Sequence, residues 1–180
     1  TVDQVLDSVR ARFEGEVLVV NDGSTDDTNA VLAGRSDVTV IAHPRNLGYG
    51  RALAEGFAVA RTRGIRRVVT MDCDGQHEPR HISEFLEVLD SGWDIVSGSR
   101  YLPDSRTLGD APPSRREVNA RVTSDINRVT GWSLTDAFCG FKAYRLEALQ
   151  GMELHEPGYA MPLELWAKAF RAGLQVCEIP

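Results

Sequence analysis

The sequence predicts an α/β protein in which helices sandwich a mostly parallel sheet. Strands alternate with helices, the connections between them are short, and polar clusters follow the apolar strands. This alternation is typical of βαβ units, whose strands lie parallel. The predicted strands are residues 16–21, 38–41, 65–71, 94–96 and 174–179.

The first hundred residues are predicted to contain four helices, recognised by apolar residues at helical spacing. Val5 and Val9 belong to an opening helix, and a short second helix ends near Leu32. The third helix covers residues 51–63, and Pro79 suits the first turn of the fourth.

The pattern changes after residue 100. Residues 101–114 contain three prolines and many polar residues, which predicts a long irregular loop of a kind that is usually functional or mobile. A helix around residues 118–129 follows, carrying an apolar stripe. Residues 136–145 form a turn that leads into a strand, and a last helix covers residues 163–170.

Composition narrows the class of protein. A chain of 180 residues with 42% hydrophobic and 26% charged residues can form one domain with its own core. A net charge of −6 makes it a poor candidate for binding nucleic acid, and no apolar run approaches the length of a membrane span. Three widely spaced cysteines argue for a reducing compartment rather than a disulfide framework.

Polar residues cluster where three predicted strands end, at residues 21–22, 72–77 and 97–100. Ligands of parallel α/β sheets bind at the carboxyl ends of the strands, so these clusters predict a site. In the first cluster, Asp22 could accept a hydrogen bond from a ribose or base. The same segment is equally compatible with a plain strand-to-helix turn.

The second cluster contains a pair of acidic residues. Asp72 and Asp74 are two residues apart, so on an extended chain their side chains lie on one side, about 7 Å apart. Because like charges repel, a cation is expected beside them. Gln76 adds a neutral oxygen, and oxygen ligands suit Mg²⁺ or Mn²⁺. A solvated acidic loop is the alternative, but the position after an apolar strand favours a metal site.

Five segments, in order, carry a resemblance to a known family: residues 19–28 (VVNDGSTDDT), 43–50 (HPRNLGYG), 71–79 (MDCDGQHEP), 98–101 (GSRY) and 136–142 (DAFCGFK). Together they resemble family 2 glycosyltransferases, in the form typical of polyprenyl-phosphate (dolichyl-phosphate) mannosyl- and glucosyltransferases. The resemblance implies the GT-A fold of nucleotide-diphospho-sugar transferases. Asn21 stands where the family usually has an aspartate, and the family's opening strand is not found in this sequence.

The resemblance also implies an organisation and an activity. We expect residues 1–180 to form one catalytic domain truncated at both ends, with a nucleotide-binding half (1–100) and an acceptor-side half (101–180). The expected enzyme is an inverting transferase that uses Mg²⁺ or Mn²⁺ and a GDP-mannose or UDP-glucose type of donor. Its expected acceptor is a polyprenyl phosphate, or another lipid or a glycan, reached from the cytoplasm by peripheral association with the membrane.

The donor-side roles implied by the resemblance fall on five residues. Asp22 would contact the nucleoside, and Arg100 the phosphates. Asp72, Asp74 and Gln76 would form the metal set, and both aspartates would also take part in binding the sugar nucleotide.

In the second half of the chain, the resemblance gives Arg116 a role in binding the donor or the acceptor phosphate. Asp136 would act as a base for a hydroxyl acceptor, although a structural cap is nearly as good an interpretation. Lys142 could neutralise an acceptor phosphate, whose oxygen is already ionised and needs little help from a base.

Two other functions remain open from the sequence. The acidic loop also resembles that of haloacid-dehalogenase-type phosphatases, with Asp72 as nucleophile and Asp74 as acid and base. A sugar-nucleotide-binding domain without catalysis would use the same binding residues. His43 is interpreted as an ordinary surface or loop residue, and Glu164 either as facing the acceptor or as an exposed first-turn residue.

Overall fold

The structure is a computed structural model that describes residues 2–105 and 112–180. Six strands are found in these ranges: Leu18–Asn21 (β1), Thr39–Ala42 (β2), Arg67–Thr70 (β3), Ile95–Gly98 (β4), Lys142–Arg145 (β5) and Val176–Ile179 (β6). The α-helices there are Val2–Arg10 (α1), Thr28–Ala33 (α2), Tyr49–Thr62 (α3), Ile82–Asp90 (α4), Pro113–Thr130 (α5) and Met161–Arg171 (α6). A short 3₁₀ helix, Pro79–His81, precedes α4. Part of the predicted irregular loop, residues 106–111, lies outside the described residues.

The α/β class is confirmed, and the described strands form two sheets. β1 pairs in parallel with β2, and the second sheet has the order β3-β5-β4-β6. β4 and β6 are parallel, whereas β5 runs antiparallel between β3 and β4. The sequence analysis predicted a strand near β5 but not its reversed direction, which depends on long-range pairing.

The reversed strand brings its preceding loop to the edge where β3 and β4 end. Lys142, the first residue of β5, lies opposite Thr70 at the end of β3 and opposite Ser97 near the end of β4. The segment of residues 136–141 therefore reaches the same edge as the acidic loop and the segment after β4. This topology brings polar and charged residues from both halves of the chain to one edge of the sheet.

The helices cover the sheets with their apolar faces, as predicted for most of them. Val5 and Val9 of α1 pack with Phe85 and Leu89 of α4, while Trp166 of α6 is buried in a separate apolar cluster. None of the described helices combines the length and the apolar character needed to cross a membrane.

Helix α5 is present, but the prediction of its apolar stripe is wrong at two positions. Val118 and Val129 are 58% and 68% exposed, while Asn119 and Thr123 are buried. The Thr123 hydroxyl accepts a hydrogen bond of 3.1 Å from the Ala137 amide. The buried face of α5 is thus determined by a hydrogen bond to the loop before β5, and the hydropathy pattern of the helix does not reveal such a bond.

The start of α3 is packed backbone to backbone against the loop before α6. The Gly50 amide donates a hydrogen bond of 2.8 Å to the Pro157 carbonyl. A Cβ atom added at Gly50 would lie 2.1 Å from the Glu156 carbonyl oxygen, whereas one at Gly56 in the same helix meets only Val20, at 3.6 Å.

We predict opposite effects of alanine at these two glycines of α3. Gly50→Ala should lower the free energy of unfolding by about 1–3 kcal/mol, because the backbone at Glu156 must move to make room for the added methyl group. Gly56→Ala should leave it unchanged or raise it by up to about 1 kcal/mol, because alanine is the better helix former. Urea unfolding of both variants measures the difference; equal stabilities would contradict the close approach.

Candidate active site

The acidic loop after β3 is folded back on itself by local hydrogen bonds. The Asp72 amide donates to Nδ1 of His77 at 3.0 Å, and the Gln76 amide donates to Oδ1 of Asp74 at 2.9 Å. Gly75 has a φ of +80°, a left-handed conformation that favours glycine. The loop therefore holds Asp72 at the sheet edge while Asp74 and Gln76 remain exposed.

Asp72 is the half-buried member of the acidic pair, and Asp74 is the exposed one. Burial raises the pKa of Asp72, the nearby His77 lowers it, and the negative charge of Asp74 raises it further. A Cβ atom added at Gly140 would lie 2.4 Å from Oδ2 of Asp72, so the loop before β5 packs directly on the carboxylate. A cation beside the two aspartates would relieve both the desolvation and the repulsion.

Arg100 and Asp136 form a two-pronged ion pair. Nε and Nη2 of Arg100 donate to Oδ2 and Oδ1 of Asp136 at 2.7 and 2.9 Å, and the Arg100 amide adds a bond of 3.2 Å. The Asp136 side chain is fully buried, while the Arg100 side chain is 38% exposed. Asp136 therefore raises the pKa of Arg100 and holds its guanidinium. Both carboxylate oxygens are occupied, so Asp136 does not face an acceptor in this arrangement.

Of the other two residues predicted on the acceptor side, Arg116 is exposed and Lys142 is buried. The Arg116 guanidinium lies 5.7 Å from the centre of the Tyr101 ring, and Arg100 lies 5.5 Å from that centre. Tyr101 thereby links the start of α5 to the end of β4. Lys142 is buried, donates to the Cys139 carbonyl and lies over the Trp166 ring, so it is held inside the fold. Burial lowers the pKa of Lys142.

Asp22 organises the first strand end through its own hydrogen bonds. Its Oδ1 accepts a bond of 2.7 Å from the Leu47 amide, and its Oδ2 accepts one of 2.8 Å from the Gly48 amide. Nδ1 of His43 lies 2.6 Å from Oδ1 of Asp22, and Nε2 of His43 lies 2.9 Å from Glu55. Only 18% of the Asp22 side chain is exposed, so most of its bonding capacity is used within the protein.

The interpretation of His43 as an ordinary surface residue is wrong. The residue is buried, and its ring bridges two carboxylates from the turn after β1 and from α3. His43 follows β2 directly, and a titratable residue at the carboxyl end of a predicted parallel strand was the signal available in the sequence. Glu164 accepts bonds from the His155 and Glu156 amides, so it ties down the loop before α6.

A cavity of about 550 Å³ opens between the acidic loop and the segment after β4. Of the predicted site residues, Asp72, Gln76 and Arg100 line it. Phe85, Phe138 and Phe141 form an apolar wall. The other predicted site residues are not among the described residues that line the cavity; these are Asp22, Asp74, Arg116, Asp136 and Lys142.

The donor set at Asp72 and Asp74 suits a metal ion that arrives with a phosphate ligand. In the described ranges, no three His, Cys, Asp or Glu side chains are grouped so that they could hold a metal by themselves. Mg²⁺ usually binds through one or two carboxylates, with substrate phosphates and water completing its shell. Asp72 and Gln76 line the cavity and Asp74 is exposed in the same loop, so this loop can supply such a set of oxygen ligands.

A mixed α/β sheet with an acidic loop and an arginine at one edge is the arrangement that the resemblance in the sequence led us to expect. Residues 1–152 match the family model of glycosyl transferase family 2. The chain belongs to this family, as the five segments indicated, and the phosphatase interpretation of the acidic loop is set aside.

Two curated relatives are similar over most of this chain. Polyprenol monophosphomannose synthase of Mycolicibacterium smegmatis is 34% identical over 173 residues, which cover 91% of this chain and 64% of that protein. Undecaprenyl-phosphate mannosyltransferase of Micrococcus luteus is 30% identical over 174 residues, covering 93% of this chain and 71% of that protein. The chain thus spans less than two thirds of the first relative.

Solved structures confirm the expected GT-A fold. Glucosyl-3-phosphoglycerate synthase of Mycobacterium tuberculosis, bound to phosphoglyceric acid, superimposes with a TM-score of 0.74 at 23% identity. The match covers 99% of this chain and 64% of that one. The same enzyme bound to Mn²⁺, UDP and glucosyl-3-phosphoglycerate gives the same TM-score, identity and coverage.

We predict a pH-dependent contribution of His43 to stability. Hydrogen bonding to Asp22 raises the pKa of His43 above 6.5, so its contribution is complete below pH 6.5 and is lost as pH rises through the folded-state pKa. At Asp22, burial raises the pKa, but hydrogen bonds from His43 and from two backbone amides outweigh it and lower the pKa below 3.8. The contribution of Asp22 to stability is therefore lost as pH falls through that lowered pKa.

The pair should therefore stabilise most between about pH 4 and pH 6.5. His43→Gln should cost about 2 kcal/mol in this window and less at pH values above the folded-state pKa of His43, measured by urea unfolding at a series of pH values. His155→Gln is the control, because that imidazole is 71% exposed. A cost that does not change with pH would contradict a charged bridge.

Proposed function

We propose that this domain transfers a hexose from a nucleotide-diphosphate sugar to a polyprenyl phosphate, with inversion and with the aid of Mg²⁺ or Mn²⁺. The observation that carries the proposal is the convergence of Asp72 and Arg100 on one cavity at the sheet edge. An anionic site for a cation and a fixed guanidinium are the two features that a diphosphate requires. The names of the two curated relatives support a polyprenyl-phosphate acceptor.

The donor half of the site is assigned to residues of both sheets. Asp72, Asp74 and Gln76 would hold the metal, which neutralises charge that develops on the leaving diphosphate. Arg100 would donate to the diphosphate oxygens from its exposed side. Asp22 would shape the nucleoside-binding turn by fixing the Leu47 and Gly48 amides.

The occupied state of Asp136 favours a phosphate acceptor over a hydroxyl acceptor. A hydroxyl group needs a base to take its proton, and the nearest candidate from the sequence is buried with both oxygens bonded to Arg100. A phosphate monoester has its second pKa near 6 and is already a nucleophilic anion at neutral pH. Its oxygen attacks the anomeric carbon, and the nucleoside diphosphate departs from the opposite face.

The place of action is proposed from the acceptor. Polyprenyl phosphates lie in membranes, so the domain would work at the cytoplasmic face and meet the lipid headgroup there. Arg116, exposed at the start of α5 and linked through Tyr101 to Arg100, would engage the acceptor phosphate.

The metal assignment predicts a loss of linked binding in Asp74→Asn. At a concentration 100 times Kd, GDP or UDP with Mn²⁺ should stabilise the wild type by about 2.7 kcal/mol, a shift in Tm of about 5–10 °C. Asp74→Asn should abolish the shift. Asp125→Asn, which removes the same charge from an exposed position on α5, should retain it. A thermal shift that survives in Asp74→Asn would refute the metal assignment.

The acceptor assignment predicts discrimination between two lipids that differ only in their head. With GDP-mannose or UDP-glucose and Mn²⁺, undecaprenyl phosphate should be glycosylated, whereas undecaprenol should react at least about 100-fold more slowly. The rate should rise with pH through the phosphate pKa near 6. Equal turnover of undecaprenol would show that a base acts. No turnover with any acceptor, despite binding of the donor, would support a non-catalytic binding domain.

A further inference from the structure

Glu178, near the end of β6, is bound to the loop that carries Asp136. Its Oε2 accepts hydrogen bonds of 2.6 Å from the Thr135 amide and 2.8 Å from the Thr135 hydroxyl. Its Oε1 accepts a bond of 2.9 Å from the Asp136 amide. One half-buried carboxylate thus receives three donors from two consecutive residues.

The Glu178 carboxylate determines which groups donate and which accept in a chain of hydrogen-bonded hydroxyls that ends beside Arg100. The Thr135 hydroxyl donates to Glu178, so in its contact of 2.6 Å with the Ser99 hydroxyl the serine must be the donor. The Ser99 oxygen in turn accepts a bond of 3.0 Å from the Tyr101 amide. The backbone on either side of Arg100 is therefore fixed by a chain that begins at Glu178.

The same carboxylate also acts on the Arg100 side chain. Glu178 fixes the Asp136 amide, and Asp136 holds the Arg100 guanidinium with two bonds and the Arg100 amide with a third. Asp136 consequently holds Arg100 through its side chain and its amide, while the Ser99 hydroxyl fixes the amide of the next residue, Tyr101. Both routes lead to Glu178.

We propose that Glu178 is a positioning residue that fixes the Arg100 guanidinium at the cavity where the donor diphosphate would bind. This inference rests on the proposed function. Glu178 lies on β6, whereas Arg100 follows β4, and Glu178 is not among the described residues that line the cavity. Its role is to hold a group that carries positive charge in one orientation before the diphosphate arrives.

The chemistry of the site requires a carboxylate rather than an amide. All three groups that face Glu178 are donors, so a glutamine side chain would place its NH₂ group against an N–H or O–H donor. Burial raises the pKa of Glu178, and the three hydrogen bonds act against that rise. Keeping an anion here next to Asp136 is costly, and the ordered donors offset the cost.

The first test observes Arg100 without any substrate. In wild-type protein, the Arg100 Nε–H should give a slowly exchanging NMR signal, because it is bonded to the buried Asp136. Glu178→Gln should shift or lose this signal, while Glu147→Gln, at an exposed glutamate, should leave it unchanged. An unchanged Arg100 signal in Glu178→Gln would overturn the proposal.

The second test is a double-mutant cycle on binding of GDP or UDP with Mn²⁺. Glu178→Gln should weaken binding by about 10-fold, since supporting residues commonly contribute 10–100-fold. In an Arg100→Lys background, which keeps the charge but loses the planar fork, the same change should matter less than about 2-fold. Equal factors in both backgrounds would show that Glu178 does not act through Arg100.

A milder pair of variants covers the case in which Glu178→Gln does not fold. Thr135→Val removes the hydroxyl link at nearly constant volume, and Thr135→Ser restores it. Binding and the Arg100 signal should be impaired in the first and recovered in the second. Failure of the wild type to bind any nucleotide would reject the proposed function alone, because the Arg100 signal still decides the role of Glu178.

Discussion

The ion pair between Arg100 and the buried carboxylate of Asp136 is the interaction on which the site depends. A carboxylate that is fully buried must be paired, and loss of its partner typically costs about 3–5 kcal/mol. This requirement ties the segment after β4 to the loop before β5, two parts of the chain 36 residues apart. Arg100 still lines the cavity with a partly exposed side chain, so under the proposed function one contact would serve both stability and binding.

The ion pair is possible because β5 runs against its neighbours. A parallel strand at this position would bring its carboxyl end to the site edge and carry residues 136–141 to the opposite end. With β5 antiparallel, Lys142 lies level with Thr70 and Ser97, and the preceding loop meets Asp72 and Arg100. Gly140 completes the arrangement, because a Cβ atom at this position would displace the Asp72 carboxylate from its present orientation.

Some charged side chains at this edge are bonded within the fold, whereas others are exposed or line the cavity. Asp136, Glu178 and Lys142 are bonded within the fold and have little freedom to meet a ligand. Asp74 and Arg116 are exposed, and Asp72 and Arg100 line the cavity. Under the proposed function, supporting groups of this kind would reduce the reorganisation needed on binding of a diphosphate and a metal, which is how an enzyme lowers the cost of reaching the transition state.

The sequence alone determined the α/β class, most of the helices, the family, and Asp72, Asp74 and Arg100 at the strand ends, because periodicity and local motifs are encoded within short segments. Only the tertiary structure decided the direction of β5, the polar buried face of α5, and the use of Asp136, Lys142 and His43 inside the fold. Each of these depends on partners distant in the chain. The hydrogen bond that the Ala137 amide donates to Thr123, and the one that the Asp136 amide donates to Glu178, leave no periodic trace in the sequence.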